Sequence, residues 1–387
     1  MKISDYVESQ IKGLWGTDFD ENGIPVIKTN NLTYEGHIDY SDICKRNITE
    51  EQAKEWYLRP GDLLIEKSGG TKTHSVGYVS YFEGEEDKYV CNNFILALRP
   101  KNTINSKFLF YQIQFKYESN QFSDCFNKTT GIQNLKVKDY LAKEIKIYTP
   151  EEQEKIVSEL DTVRSIINKN KQILEKYEIL IKSRFIEMFG DPVQNPMRWE
   201  VKKLGDICTK ISDGVHAKPE YTATGKPFIS VVNINSGKLL FDDCKYVSEE
   251  AYEKMIKSTH PEKGDILYTK VGATYGIPAL VDTDRAFCLY VSVALLKPKS
   301  EIVNSQFLTT SMAQPYIKNQ ADKRIKGIGV PDLHLNQIRE FEVLVPPLEL
   351  QNHFNSFVQQ IDKSKFEIWR YLKFCDIMKR IGFRLYD

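Results

Sequence analysis

The chain has 387 residues in which 53 Lys and Arg balance 53 Asp and Glu, with 27% charged and 41% hydrophobic residues. That composition belongs to a folded globular protein and excludes long disorder; with no global positive field, any site for a polyanion has to be a local patch. The seven cysteines are never spaced CxxC and the six histidines never at ligand spacing, which predicts reduced thiols and no resident metal. No apolar run reaches the ~18 residues that cross a bilayer, and the opening MKISDYVESQ lacks an export pattern, so the expected location is cytoplasmic.

In chain order, residues 1–148 carry short β-rich stretches at Ile24–Ile27, Asp62–Ile65, Gly77–Tyr81 and Phe94–Leu98, separated by Gly, Asn and Asp turns, with a helix predicted over Lys107–Phe115. At Pro150, a good first-turn residue followed by acidic Glu151 and Glu152, the period changes from two to three and a half. Ile156, Leu160, Val163, Ile167, Asn170, Leu174, Tyr177, Ile181 and Met188 then form one stripe, unbroken by Gly or Pro until Gly190, which predicts a long helix over 149–190. A second β-rich region, 191–346, has strands expected at Pro227–Val232, Asp265–Tyr268 and Val291–Leu296. A second striped helix follows over 347–387, with Leu350, Phe354, Phe357, Ile361, Ile368, Tyr371, Cys375 and Met378 on its seam and Ser364 as its polar interruption.

The two halves repeat each other. PGDLLIEKSGGT at Pro60–Thr71 answers KGDILYTKVGAT at Lys263–Thr274; NNFILALRPK at Asn92–Lys101 answers YVSVALLKPK at Tyr290–Lys299; NSKFL at Asn105–Leu109 answers NSQFL at Asn304–Leu308; TPEEQEKIV at Thr149–Val157 answers PLELQNHFN at Pro347–Asn355. Four matches in the same order define a duplicated domain-plus-helix unit. The fold class is therefore α+β: two tandem α/β domains, each followed by a long helix of roughly 55 Å at 1.5 Å per residue. The alternative for each stripe is packing on its own domain, but two similar seams in one chain can satisfy each other. The expected closed form is an antiparallel coiled coil with pseudo-two-fold symmetry, in which Asn170 either fixes register, at some cost in stability, or faces solvent.

Two surfaces per copy could carry binding. The first is the small-residue loop after the GD strand: Lys67, Ser68, Gly69, Gly70, Thr71, Lys72 and Thr73 in one copy, Lys270 to Tyr275 with Thr274 in the other. Neither is a P-loop, since GxxxxGK[ST] is absent, and a tight hairpin with incidental charge is the structural alternative. The second lies just before each long helix: Asn127, Lys128, Thr129, Thr130, Gln133, Asn134 and Lys136, and then Lys323, Arg324, Lys326, His334 and Asn336. These types bind phosphates and hydrogen-bond base edges, although a solvated loop would read the same way. Asp62, Glu66 and Lys67 have the wrong spacing for a nuclease acid pair, and Thr269 stands where the glutamate should repeat. With no amino-methyltransferase motif, HExxH or GxSxG either, the sequence points away from chemistry of its own.

In the GD strand with its small-residue loop, the Gly131-Ile132-Gln133-Asn134-Leu135 segment, the PPLELQ string at Pro346–Gln351 and the join MFGDPVQNPMRW at Met188–Trp199, the chain resembles the specificity (S) subunit of type I restriction-modification systems over nearly its whole length. The resemblance implies that each domain reads one half of a bipartite double-stranded DNA site, with the helices as a ruler. It implies docking to two methyltransferase subunits, which bind S-adenosylmethionine and flip out an adenine, and to restriction subunits driven by ATP with Mg²⁺; this chain would hold no cofactor. The DNA face would be lined by Lys67, Ser68, Thr71, Lys72, Thr73 and Asn127 to Lys136 in one domain, and by Lys270, Thr274, Tyr275, Lys323 to Lys326, His334 and Asn336 in the other. One departure stands out: the second copy opens on Trp199 to Leu204, whereas the first begins at Lys2-Ile3 without the Trp-containing lead, for which a truncation, a late start codon and a real variant all remain open. The competing functions are an unrecognised nuclease or methyltransferase and a protein-only coiled-coil scaffold.

Overall fold

The computed structural model describes residues 1–71, 73–129, 132–325 and 329–386, with side chains described at all of these except 128–129 and 376–386. It forms two compact units, Met1–Lys171 with Arg370–Asp387, and Gln172–Trp369. The division runs through the two long helices, Pro150–Phe189 and Leu348–Tyr386, instead of falling at their starts.

Each unit contains the same frame. In the first, strands Val7–Ile11, Ile95–Pro100, Leu63–Glu66 and Val79–Tyr81 lie in that spatial order in an antiparallel sheet; in the second, Cys208–Asp213, Val293–Pro298, Ile266–Thr269 and Pro278–Leu280 repeat it. A three-stranded mixed sheet stands beside each: Cys44–Arg46, Phe19–Ile27, Val90–Cys91 in one and Lys245–Val247, Lys226–Ile229, Cys288–Leu289 in the other. The central strands are buried on both faces, which is why Leu63, Leu64 and Ile65 read as a continuous apolar run instead of alternating. The helix after this sheet is Ser106–Glu118 in the first unit, but in the second the chain breaks into Ser305–Met312 and Pro315–Arg324, because Pro315 cannot continue the first helix and opens the next.

The repeated residues turn out to hold this frame together. Gly61 and Gly264 adopt φ of 98° and 93°, where a side chain would be strained. The Asp that follows closes the turn and anchors a cation on the neighbouring strand. Asp62 accepts from the Arg59 backbone N–H at 2.7 Å and from Arg99 at 2.8 and 3.0 Å, and Asp265 accepts from the Glu262 N–H at 2.7 Å and from Lys297 at 2.7 Å. Asn105 and Asn304 each cap the helix they precede by accepting two backbone N–H groups. Their own N–H groups are taken by buried glutamines at the start of the long helices, Gln153 at 3.0 Å and Gln351 at 2.8 Å. The same glutamines donate to carbonyls of the preceding chain, Tyr148 and Pro346. One glutamine in each copy thus ties the capped helix of the domain to the start of the long helix.

Within the second unit the two helical segments run antiparallel. Phe354 meets Phe185 and Phe189 at ring distances of 5.6 and 5.5 Å, and further along Lys365 pairs with Glu178 at 2.9 Å. Ile181, Val358 and Ile361 complete this seam, which merges with the domain core, while Leu350, Phe357, Tyr177 and Met188 flank it. In the first unit Ile156 and Leu160 enter the domain core, and Val163 and Ile167 are half-buried, as are Leu174 and Ile368 in the second. Three sequence expectations need correcting. The inward polar residue of the second helix is Lys365, not Ser364, which is exposed and bonds back to the Gln360 carbonyl. Tyr371 is exposed. Asn170 donates to the Ile166 carbonyl of its own helix at 3.0 Å, so its amide is spent locally and sets no register. The expected seam residue Met378 lies outside the described side chains.

The join between the first long helix and the second domain is closed on itself. Gly190 takes φ 78°, Asp191 accepts from the N–H groups of Val193 and Gln194, Asn195 exchanges two bonds with the Trp199 backbone, and the Trp199 indole donates to the Phe189 carbonyl at 2.9 Å.

Candidate nucleic-acid interface

In the first unit the two segments singled out from sequence meet. Ser68–Gly69 and Phe126–Thr129 lie on either side of Ile132–Leu135 in a small antiparallel sheet. Ser68 bonds Asn134 through its side chain, the Leu135 N–H donates to the Lys67 carbonyl at 2.8 Å, and Gln133 accepts the Val76 N–H at 3.1 Å. The glycines are required: Gly69 and Gly70 have φ of 136° and 74°, and a Cβ on Gly69 would lie 2.5 Å from a Glu66 carboxylate oxygen. Thr71 turns the chain by accepting from the N–H groups of Thr73 and His74, leaving Thr71 and Thr73 exposed. Asn127 and Asn134 are exposed, while Lys67, Gln133 and Lys136 are half-buried, the last reaching the Asp124 carbonyl at 3.3 Å. Lys72, Thr130 and Lys326 lie outside the described residues, and the side chains of Lys128 and Thr129 outside the described side chains.

Two features of this face were not read from sequence. Tyr34, from a loop far back in the chain, stacks on His74 at 3.7 Å and 15°, presenting a flat ring pair beside Thr71. Nothing in the local pattern around Tyr34 announces this, because the contact spans forty residues. Beneath the loop, Glu66 is buried, with one oxygen accepting the Gly70 N–H at 3.2 Å and the other unpartnered. Burial pushes its carboxyl above the usual range, and its charge in turn helps raise the Tyr78 and Tyr117 hydroxyls.

The second unit builds the same place differently. Lys270 is not a surface cation as the sequence suggests; it is buried between Asp213 at 3.3 Å and Asp332 at 3.7 Å. Its carbonyl accepts the Leu333 N–H at 2.9 Å and Gly272 donates to the Pro331 carbonyl at 2.9 Å, so the strand-end loop is strapped to the segment before the long helix by a bridge, not a sheet. Thr274 is exposed; Tyr275 bonds Asp322 through its hydroxyl and carries Lys318 over its ring at 3.8 Å. The Lys318 ammonium and the Tyr275 hydroxyl hold the Asp322 carboxyl below its usual range. Lys323, His334 and Asn336 are exposed, His334 standing at the N-terminal cap position of the helix Leu335–Arg339 with its backbone N–H donating to the Gln337 side chain at 2.8 Å. Arg324 is committed elsewhere, donating to the Gln320 and Glu340 carbonyls at 2.9 and 3.1 Å.

In both units, then, a fixed frame carries a polar face of exposed Thr and Asn, with His and Tyr, the side chains that read base edges and phosphates. The likeness to known proteins follows the same duplication. A model of the type I restriction modification DNA specificity domain matches twice, at residues 3–178 and 196–373. The MjaIX specificity subunit of Methanocaldococcus jannaschii is 27% identical over 91% of this chain and 82% of its own length, and the EcoKI specificity subunit of Escherichia coli K12 is 22% identical over 87% and 75%. Among solved structures, the type I restriction-modification S subunit from M. genitalium superposes with a TM-score of 0.57 at 16% identity, covering 99% of this chain and 94% of that one. Because the family match takes in both copies of the repeat, frame and helix together, the chain belongs to the type I restriction-modification DNA specificity family.

Proposed function

We propose that the chain is the non-catalytic subunit that gives a type I restriction-modification complex its DNA sequence specificity, by reading a bipartite and asymmetric double-stranded target. The observation that carries this is the contrast between frame and face. Asp62/Asp265, Asn105/Asn304 and Gln153/Gln351 do the same work in both units, whereas the binding faces are built differently, on a three-stranded sheet in one and on a single bridge with Lys270 closed between two carboxylates in the other. Like frames with unlike faces suit two different half-sites. In this reading the long helices, 40 and 39 residues, set the half-site spacing and offer docking surfaces for two adenine methyltransferase subunits. Exposed Ile179, Leu180 and Ile186 on one helix and Phe366 and Trp369 on the other supply apolar area for such partners. S-adenosylmethionine belongs to those subunits, and ATP with Mg²⁺ to restriction subunits where present. A cytoplasmic location fits the seven free cysteines, and no helix among the described residues is long and apolar enough to cross a membrane.

The test is methylome sequencing of a host with and without the gene. One split adenine-methylated motif, unequal in its two halves, should vanish on deletion; an unchanged methylome overturns the reading. Methyl transfer or cutting by the isolated chain would favour an enzyme instead.

A further inference from the structure

The matched frames allow the two faces to be compared position by position. Ile11 faces Ala97 as Ser212 faces Leu295, so Lys12 in the first unit stands where Asp213 stands in the second. Glu66 faces Ile95 as Thr269 faces Val293, so Lys67 corresponds to Lys270. Ser68 pairs with Asn134 as Val271 bridges Asp332, so Asn134 corresponds to Asp332. In the second unit this trio is one cation closed between two carboxylates, and the lysine is buried. In the first, both carboxylates are replaced, one by a lysine and the other by an amide whose oxygen is taken by Ser68. Among the described residues neither Lys12 nor Lys67 forms an ion pair; Lys12 is exposed and Lys67 half-buried. Two ammonium groups thus stand where the sister unit has one cation between two anions, which leaves them available to an anion from outside the chain.

Resting on the DNA-reading function proposed above, we propose that Lys12 and Lys67 form a phosphodiester-binding pair in the first unit, and that the second unit has no counterpart because Asp213 and Asp332 neutralise Lys270 internally. Phosphate contact contributes affinity without sequence information. At this position, therefore, the first unit can hold the DNA backbone by charge and the second cannot. The two half-sites then differ in salt response as well as in sequence.

The experiment uses the full chain assembled with its methyltransferase subunits, binding its own split target across a range of salt concentrations. Each neutralised phosphate contributes about −0.9 to the slope of log K against log salt. Lys12→Asp both removes one contact and supplies the carboxylate that Lys67 lacks, so it should flatten the slope by about 2, with affinities converging on wild type at high salt. Lys67→Gln should flatten it by about 1 and Lys67→Arg should leave it unchanged. The double change Asp213→Asn/Lys270→Met should leave the slope as it was. None of these should alter which base pairs are preferred. Unchanged slopes in Lys12→Asp and Lys67→Gln, with split-site binding intact, overturn the pair and leave the DNA-reading function standing, as does loss of subunit assembly in place of a salt effect. A wild-type complex blind to sequence overturns that function itself. Should Lys12→Asp fail to fold by thermal melting, Lys12→Gln takes its place, expected like Lys67→Gln to flatten the slope by about 1, and an unchanged slope in it overturns the pair.

Discussion

Asp62 shows how a residue that resembles chemistry serves structure. It is almost fully buried, and Arg99 and the Arg59 N–H fill its oxygens. Asp62→Ala should cost about 3 kcal/mol, since it leaves a guanidinium without its partner, and a chemical denaturation midpoint would register that. Glu66 carries a different expectation. An acid whose folded pKa lies above its unfolded value costs stability once it ionises, so the cost is absent below the ordinary carboxylate range and grows as pH rises through the folded value. Glu66→Gln should therefore gain stability relative to wild type as pH rises from 4 to 8, read as diverging melting temperatures. The GD motif was legible as something important because it occurs twice. The fates of Lys67 and Lys270 were not, because they depend on Lys12, Asp213, Asn134 and Asp332, which lie more than fifty residues away and are brought in only by sheet pairing.

The helices were the most readable elements, since a stripe that runs from Glu151 to Phe189 without Gly or Pro leaves little else to form. The inward residue was misplaced by one position at Ser364. A straight helix drifts from a strict 3.5-residue repeat, and a lysine stem can lie along an apolar seam while its ammonium reaches Glu178 at the edge. Replacing Lys365 with Met should be neutral or slightly stabilising, because it puts an apolar side chain on the seam and leaves Glu178 and Asp362, both exposed, to water. Phe354→Ala, in contrast, removes a ring packed on Phe185 and Phe189 and should cost about 3–5 kcal/mol in thermal or denaturant unfolding. The strands were legible where their central runs are apolar, while the small sheet of Ser68–Gly69, Ile132–Leu135 and Phe126–Thr129 was not, because short polar strands carry no period.

At the scale of the whole molecule, the proposed function makes helix length a property of the target. Adding one turn of four residues to both long helices lengthens each by about 6 Å, which should widen the gap in the methylated motif by one to two base pairs while leaving both half-sites unchanged. Methylome sequencing of the lengthened variant checks this, and an unchanged gap would detach the helices from spacing.

The closed turn at Gly190–Trp199 has a consequence for how such a molecule can diversify. Its hydrogen bonds begin and end within the turn and the helix end before it, through Asp191, Asn195 and Trp199, and ask nothing of the loops that follow. A genetic crossover at this point would bring in a foreign second half with its own glutamine latch, and that half would join a junction already correctly formed wherever its helix packs on Phe185 and Phe189 as Phe354 does. New split recognition sequences could then arise in one step by shuffling halves, with no stretch of broken intermediates to cross.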